Sequence, residues 1–291
     1  MIAFNFNIHF RDEPSLNDDI YDNSKKNITI VKSSDAEIFE KLSQKSEYLP
    51  LSGREASYGA EVEFSKCREG CLWGVDVKGV VSFVWSCGDR TLNYLPQPLL
   101  TVELLEFWTL HTIIPMMLAL DETYNILHVG AVEVAGKSII FSAESFGGKS
   151  TMTDYFLKQG HALLADDTLG IYKDAETFKA VASYPFHRPF REAESLGYKV
   201  SNVNIHPRAV KAVYLLEKSD ADAEITITKI KGVEKYRAFH FSTFINFDFL
   251  KEKRFKSLSE MANAITVYKV SVPWKLERLP EVYTAIVETA I

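Results

Sequence analysis

The chain has 291 residues, 46% of them hydrophobic and 25% charged, with a formal net charge of -6. This is ordinary globular composition, and its length suits one large domain or two ordinary ones. A net-acidic chain is not a general binder of nucleic-acid backbones, although a local basic patch stays open.

The amino-terminal run MIAFNFNIHFRDEPS alternates apolar and polar residues like a strand. It lacks the basic start and apolar core of a signal peptide. A short helix is expected with Asp35 near its start, and strands at NITIVKS and GVVSFVWSCG. Cys67, Cys71 and Cys87 are an odd, small set without a secretory signal. That pattern implies reduced thiols and a cytoplasmic chain. The CREGC spacing has no second pair and no nearby histidine, so small half-buried side chains in a hairpin are expected there rather than zinc. Pro96 and Pro98 make a joint, dividing the chain into a β-rich part (1–95) and a larger α/β part (96–291).

The most apolar stretch, Leu99 to Leu120, is long enough to span a bilayer. Glu103, Glu106 and His111 would each be costly at that depth, and Pro115 would break the hydrogen-bond ladder. A buried helix, kinked or interrupted near the proline, is expected instead of a membrane span.

Next, ILHVGAVEVAGKSIIFS reads as two strands around a turn at 135–137, with Ser138–Ser142 as a buried strand. A helix follows over Lys149–Gln159 and stops at Gly160. Ala162–Ala165 is a second buried strand. A strand–helix–strand unit crosses over to a parallel neighbour, so both strand ends lie on one sheet edge. The loop before the helix and the pair Asp166–Asp167 should then face one crevice, where open α/β sheets bind ligands.

That loop reads Ala143-Glu-Ser-Phe-Gly-Gly-Lys-Ser150. A phosphate loop, G-x-x-x-x-G-K-[ST], uses small residues so that backbone N–H groups can wrap phosphate oxygens. Its lysine serves the β/γ-phosphates and its hydroxyl serves Mg²⁺. Here only the first glycine is altered, to Ala143. The helix start adds a favourable dipole. Two carboxylates at a strand end could divide metal binding from proton acceptance, or could simply form a turn. No N-K-x-D motif supports a GTPase, and no LSGGQ-like element supports a transport ATPase.

Downstream, strand–turn–strand is expected at TLGIYKDAETFKAVASYP and an irregular loop at HRPFREAESLG. Strands are expected at Ala209–Lys218, AEITITKI and AITVYKVSV. A helix is expected across Val233–Leu250, and a closing helix with Pro280 in its first turn.

The residues S-x-x-G-K-S, then Gly160-His161, then an apolar strand ending Asp166-Asp167, resemble the catalytic domain of HPr serine kinase/phosphorylase and its wider kinase relatives. LHVGAVEVAGKSIIFS resembles that family's histidine-bearing strand pair. The resemblance runs from Leu127 to Asp167, about a seventh of the chain. It implies an α/β P-loop kinase domain of the HPr kinase and phosphoenolpyruvate carboxykinase-like type, behind a β-rich amino-terminal part.

It further implies an ATP- and Mg²⁺-dependent kinase acting on a serine-like hydroxyl of a protein, peptide or small molecule. The phosphates would fall to Ser145, Gly147, Gly148, Lys149, Ser150 and Thr151. Asp166 would accept the proton, with His128 beside it to tune or orient it. Ser150, Asp167 and Glu192 would hold the metal. Arg188 and Arg191 either contact phosphates or an acidic substrate, or belong to a solvated charged loop. His161 reads as structural. Two residues depart from the pattern, Ala143 and Phe146, where the family usually has glycine. They keep an alternative open: a catalytically weak or inactive nucleotide-binding scaffold. A homo-oligomer is also left open, and dephosphorylation is not expected, since its signature is not recognisable. A phosphoenolpyruvate carboxykinase itself ranks lower, because its metal-binding histidine and lysine motifs are not found.

Overall fold

The computed structural model describes every residue except Asp18, Asp19, Asp35, Ala36, Ser145 and Arg191. The chain is mixed α/β and divides into two compact units: Met1–Thr123 with Arg191–Leu196, and Tyr124–Phe190 with Gly197–Ile291. The division thus falls at Thr123–Tyr124 rather than at residues 95–96. Pro96 ends the last strand of the first unit, and the apolar helix that follows is part of that unit's core.

The first unit is a nine-stranded sheet. Phe6–Phe10, Asn27–Lys32 and Thr91–Pro96 pair in parallel. An antiparallel meander of Arg54–Ala60, Leu72–Val77, Val81–Ser86 and Thr91–Pro96 follows, and the short strands Ile2–Ala3, Gln44–Lys45 and Leu49–Leu51 complete it. Trp73, Phe83, Trp85 and Leu92 alternate inward and are buried, as period-two patterning requires. The helix Val102–Leu120 is capped by the Thr101 hydroxyl, which accepts from Leu104 N–H at 3.3 Å.

A π-helical turn over Trp108–Ile113 sits ahead of Pro115. The missing proline N–H is accommodated there by widening the ladder. Among the described residues this is the one helix long and apolar enough to cross a membrane, and 67% of its apolar window is buried in the protein. Glu194 joins this unit by accepting from Arg54 (2.7 Å) and from the Trp108 indole (3.0 Å).

Cys67 and Cys71 form a disulfide, correcting the expectation of reduced thiols and removing the argument on which the cytoplasmic expectation rested. Cys87 is the free cysteine. Burial and the nearby Asp121 carboxylate push its thiol up to about 12, so it is neutral and inert at physiological pH.

In the second unit the strands are β1 (Asn125–Leu127), β2 (Gly130–Val134) and β3 (Lys137–Ser142). Helix α1 (Lys149–Lys158) follows, then β4 (Leu163–Ala165), β5 (Leu169–Asp174) and β6 (Thr177–Val181). A short pair, β7 (Phe186–His187) with β8 (Tyr198–Lys199), brackets the irregular loop expected at 187–197. β9 (Arg208–Ser219) and β10 (Ile227–Lys229) precede α2 (Val233–His240). α3 (Lys251–Ala264), β11 (Thr266–Pro273) and α4 (Leu279–Ala290) complete the unit. The single helix expected across Val233–Leu250 thus ends at His240, and a 3-10 turn at Asp248–Leu250 leads into α3. The aromatic run there has no consistent 3.6-residue period to carry a helix across.

Successive β3 residues point to opposite faces of the sheet. Ile140 packs with Leu164, Val213, Phe239, Leu258 and Met261 on one side. Ile139 and Phe141 pack with Met152, Phe156, Val270, Val282 and Ile286 on the other. α1 and α4 therefore cover one face and α2 and α3 the other, and the burial of both faces explains the continuous apolar strands. β2 and β3 meet through Ala135 and Gly136, both at positive φ (48° and 74°), as a right-twisted two-residue hairpin requires. The first residue of β2, Gly130, lies so close to the Thr153 hydroxyl of α1 that a Cβ would overlap it.

The strand–helix–strand expectation needs one correction. β3 and β4 are not adjacent: each pairs antiparallel with β2, which lies between them. They nevertheless run in the same direction, so both carboxyl ends reach the same edge. β9 and β11 also run parallel to β3. The order across that edge is β4, β2, β3, β9, β11.

Candidate functional site

At the end of β3 the chain turns sharply into α1. Gly147 N–H donates to Glu144 O at 2.9 Å. A Cβ on Gly147 would stand 2.6 Å from Ala143 Cβ and 2.9 Å from Glu144 O, so only glycine fits. Gly148 is the residue before the helix, at φ 89°, a conformation that glycine adopts without strain. The loop is small where its own backbone folds back on itself. Ala143 is buried against that turn, in van der Waals range of Gly147, and its methyl is accommodated.

Phe146 is at φ 60° and 77% exposed. Its ring therefore does not fill the inside of the loop. The cost falls on the backbone, at about 1–2 kcal/mol for a non-glycine residue in the left-handed region.

Lys149 is buried, and its Nζ donates to Ala143 O at 3.0 Å, closing the loop over the strand end. Ser150 is half-buried beside it, and Thr151 is exposed on the first turn. Ser145, assigned to the phosphates from the sequence, lies outside the described residues. α1 ends in a Schellman arrangement: Gly160 N–H donates to Leu157 O at 2.9 Å and His161 N–H to Phe156 O at 3.1 Å. The two ring nitrogens of His161 meet Glu133 O and the Tyr283 hydroxyl, both at 3.0 Å. His161 is thus a packing residue between α1, β2 and α4.

Asp166 and Asp167 follow β4 and are both buried. Their side chains diverge, as adjacent residues at a strand end do. Asp166 Oδ2 accepts from the backbone N–H of Arg188 at 2.6 Å and faces His187 Nδ1 at 2.8 Å. Asp166 Oδ1 is buried without a hydrogen-bond partner. Asp167 Oδ2 accepts from Arg188 Nη1 at 2.8 Å, and its Oδ1 is 3.6 Å from His128 Nδ1.

This corrects one expected pairing: His128 faces Asp167, and the histidine on Asp166 is His187. The ring of His187 is fully buried, and its Nε2 is 3.4 Å from Asp154 Oδ1 on α1. Both contacts of His187 are close approaches that lack hydrogen-bond angles. The residue nonetheless ties the glycine-loop helix to the aspartate pair. Tyr184 lies next to the pair as well. Burial first, and then Asp167, hold its phenol well above the ordinary value, so it is neutral at physiological pH.

His187 and Arg188 are on and after β7, held by the β7–β8 pair. Gly197, at φ 81°, approaches the His187 carbonyl so closely that a Cβ there would overlap it. The sequence marks this segment only by an adjacent histidine and arginine and a glycine. Glu192 is exposed and belongs to the first unit, and Arg191 lies outside the described residues. Among the described residues, no group of three or more His, Cys, Asp or Glu is arranged to hold a metal ion.

The nucleotide expected from the sequence fits what is present. The turn is tight and its Gly147 N–H is taken by Glu144 O, so a phosphate would meet the first turn of α1 and the buried Lys149 ammonium. A protein-only Mg²⁺ cage does not fit. Mg²⁺ held largely by phosphate oxygens and water does, with the half-buried Ser150 hydroxyl as an available protein oxygen.

On the other flank of β3, a cavity of about 490 Å³ is lined by Glu144, Gly147, Glu217, Lys218, Arg237 and Lys269, among others.

No protein-family model matches the chain, and no curated protein matches it. Among solved structures, an HPr(Ser) kinase/phosphatase from Coxiella burnetii is similar over 56% of this chain and 94% of that one. The identity is 11% and the TM-score 0.35. A likeness at that level assigns neither a family nor an activity to this chain.

Proposed function

We propose that the second unit is an ATP- and Mg²⁺-dependent kinase of the P-loop type, resembling HPr kinase, that phosphorylates a hydroxyl of a protein, peptide or small molecule. The observation that carries this reading is the shared edge. The glycine turn with Lys149 and the pair Asp166–Asp167 come from strands that run the same way, and His187 spans from α1 to Asp166.

Bound Mg·ATP would supply the phosphoryl group and neutralise charge on its oxygens. The chain's own residues do the rest. Backbone N–H groups of Gly148 to Ser150, at the start of α1, would orient the phosphates. Lys149 Nζ exchanges the Ala143 carbonyl for a phosphate oxygen. Asp166 would take the proton of the acceptor hydroxyl through Oδ1, which is buried without a hydrogen-bond partner, while the Arg188 N–H holds Oδ2 with His187 beside it. Arg188 offsets the charge of Asp167, with His128 beside its Oδ1.

The test is transfer from labelled ATP across a broad hydroxyl-acceptor panel, with Asp166→Asn alongside. Transfer should be lost in the variant, by about 10²-fold or more, with ATP affinity kept. Undiminished transfer by Asp166→Asn would remove Asp166 from the mechanism.

One observation favours a second reading, a nucleotide-binding module without catalysis. Arg188 engages Asp167 directly, at 2.8 Å, so the carboxylate assigned to the metal is already paired. ATP binding with no acceptor-dependent ADP release across the same panel would support that reading.

A further inference from the structure

The strand order gives a nucleotide bound at this loop a direction. Asp166 and Asp167 end β4, on one flank of β3. A phosphoryl group leaving toward Asp166 must be at that end, so the nucleoside must extend toward the other flank. There β9 and β11 end, running parallel to β3.

The residue after β11 is Trp274, anchored by its N–H to Ser219 O at 3.1 Å. Its six-membered ring edge lies 3.5 Å from where a Cβ on Gly148 would stand, so the indole rests directly beside the glycine turn. One ring face carries the ammonium of Lys218, 3.8 Å from the centroid. Even so, the side chain is 51% exposed. Lys218 also lines the neighbouring cavity, which opens against Glu144 and Gly147 of the loop. An exposed indole is apolar surface that most globular proteins bury. Here it lies beside the phosphate cradle, on the flank away from the aspartates.

We infer that Trp274 is the stacking platform for the nucleotide base, with Lys218 bracing the indole from behind. The inference deepens the proposed function and rests on it. Aromatic stacking tolerates any base, because every base has a π face. The subsite would therefore add affinity for nucleosides over bare phosphate chains without selecting strongly among purines.

The experiment compares ATP with inorganic tripolyphosphate, each with Mg²⁺, by calorimetry on the whole chain. The proteins are wild type, Trp274→Ala and Trp274→Phe, with thermal unfolding followed on each. Trp274→Ala should weaken ATP about tenfold or more and leave tripolyphosphate unchanged, with Trp274→Phe recovering most of the loss. Equal ATP affinity in wild type and Trp274→Ala, or equal loss on both ligands, overturns the platform while the phosphate site stands. No binding of either ligand to wild type at millimolar concentration overturns the phosphate site, and the platform with it.

Discussion

Two segments of the second unit meet at Asp166, and they got there by different physics. Residues 139–167 form β3, the glycine turn, α1 and β4, and each is specified by near neighbours. An apolar run makes the strand, glycines make the turn, and Gly160 stops the helix. Residues 184–190 with 197–199 carry His187 and Arg188 on and after a two-residue strand pair with no periodic signal. Their position is fixed from outside, by Asp166 and Asp154 on His187 and by the close approach of Gly197. The first segment supplies a cradle that is a property of local sequence. The second supplies the electrostatics of the carboxylates, which is a property of the fold.

That difference can be attacked from both sides. The largest effect should come from Asp166, where the two segments touch, through the loss of transfer described above. Next is His187→Ala. It removes the link between α1 and Asp166 and leaves two acidic side chains without their buried partner. Stability should fall by about 1–3 kcal/mol, and kcat by roughly tenfold, within the usual worth of a positioned acid–base group. ATP affinity measured below the unfolding transition should hold. A parallel fall in ATP affinity and kcat would reduce His187 to a packing residue.

The smallest effect should come from Phe146→Gly, inside the first segment. The exposed ring takes no space in the loop, so ATP affinity should shift less than about threefold. Relief of the left-handed backbone should stabilise the unit by about 1 kcal/mol. A large loss of ATP affinity would mean that the ring itself contacts the nucleotide.

What could be read in the sequence follows the same divide. The glycine turn, α1, the apolar strands and the shared edge for Asp166–Asp167 were legible, because each depends on spacing within a few residues. The intervening β2 was not. Antiparallel and parallel neighbours of a buried strand have the same apolar pattern, so Leu163–Ala165 does not reveal its partner. Nor was His187 legible as the neighbour of Asp166. A histidine between Phe186 and Arg188 carries no local sign of the carboxylates that meet it. The division of the chain was misplaced for a related reason. Pro96 and Pro98 look like a joint, but proline also ends strands, and the helix beyond them packs through Trp108 and its neighbours into the first unit. The Cys67–Cys71 bridge depended on the hairpin bringing two residues of CREGC together, which an odd cysteine count obscured.

The most direct test of the central claim, a working phosphate cradle built by the first segment, is a calorimetric titration of Mg·ATP into wild type and Lys149→Met. Lys149 is the buried ammonium that closes the loop over Ala143. Saturable binding to wild type that disappears in the variant is the predicted result. No binding to wild type at millimolar ATP, or binding that Lys149→Met leaves unchanged, would contradict it.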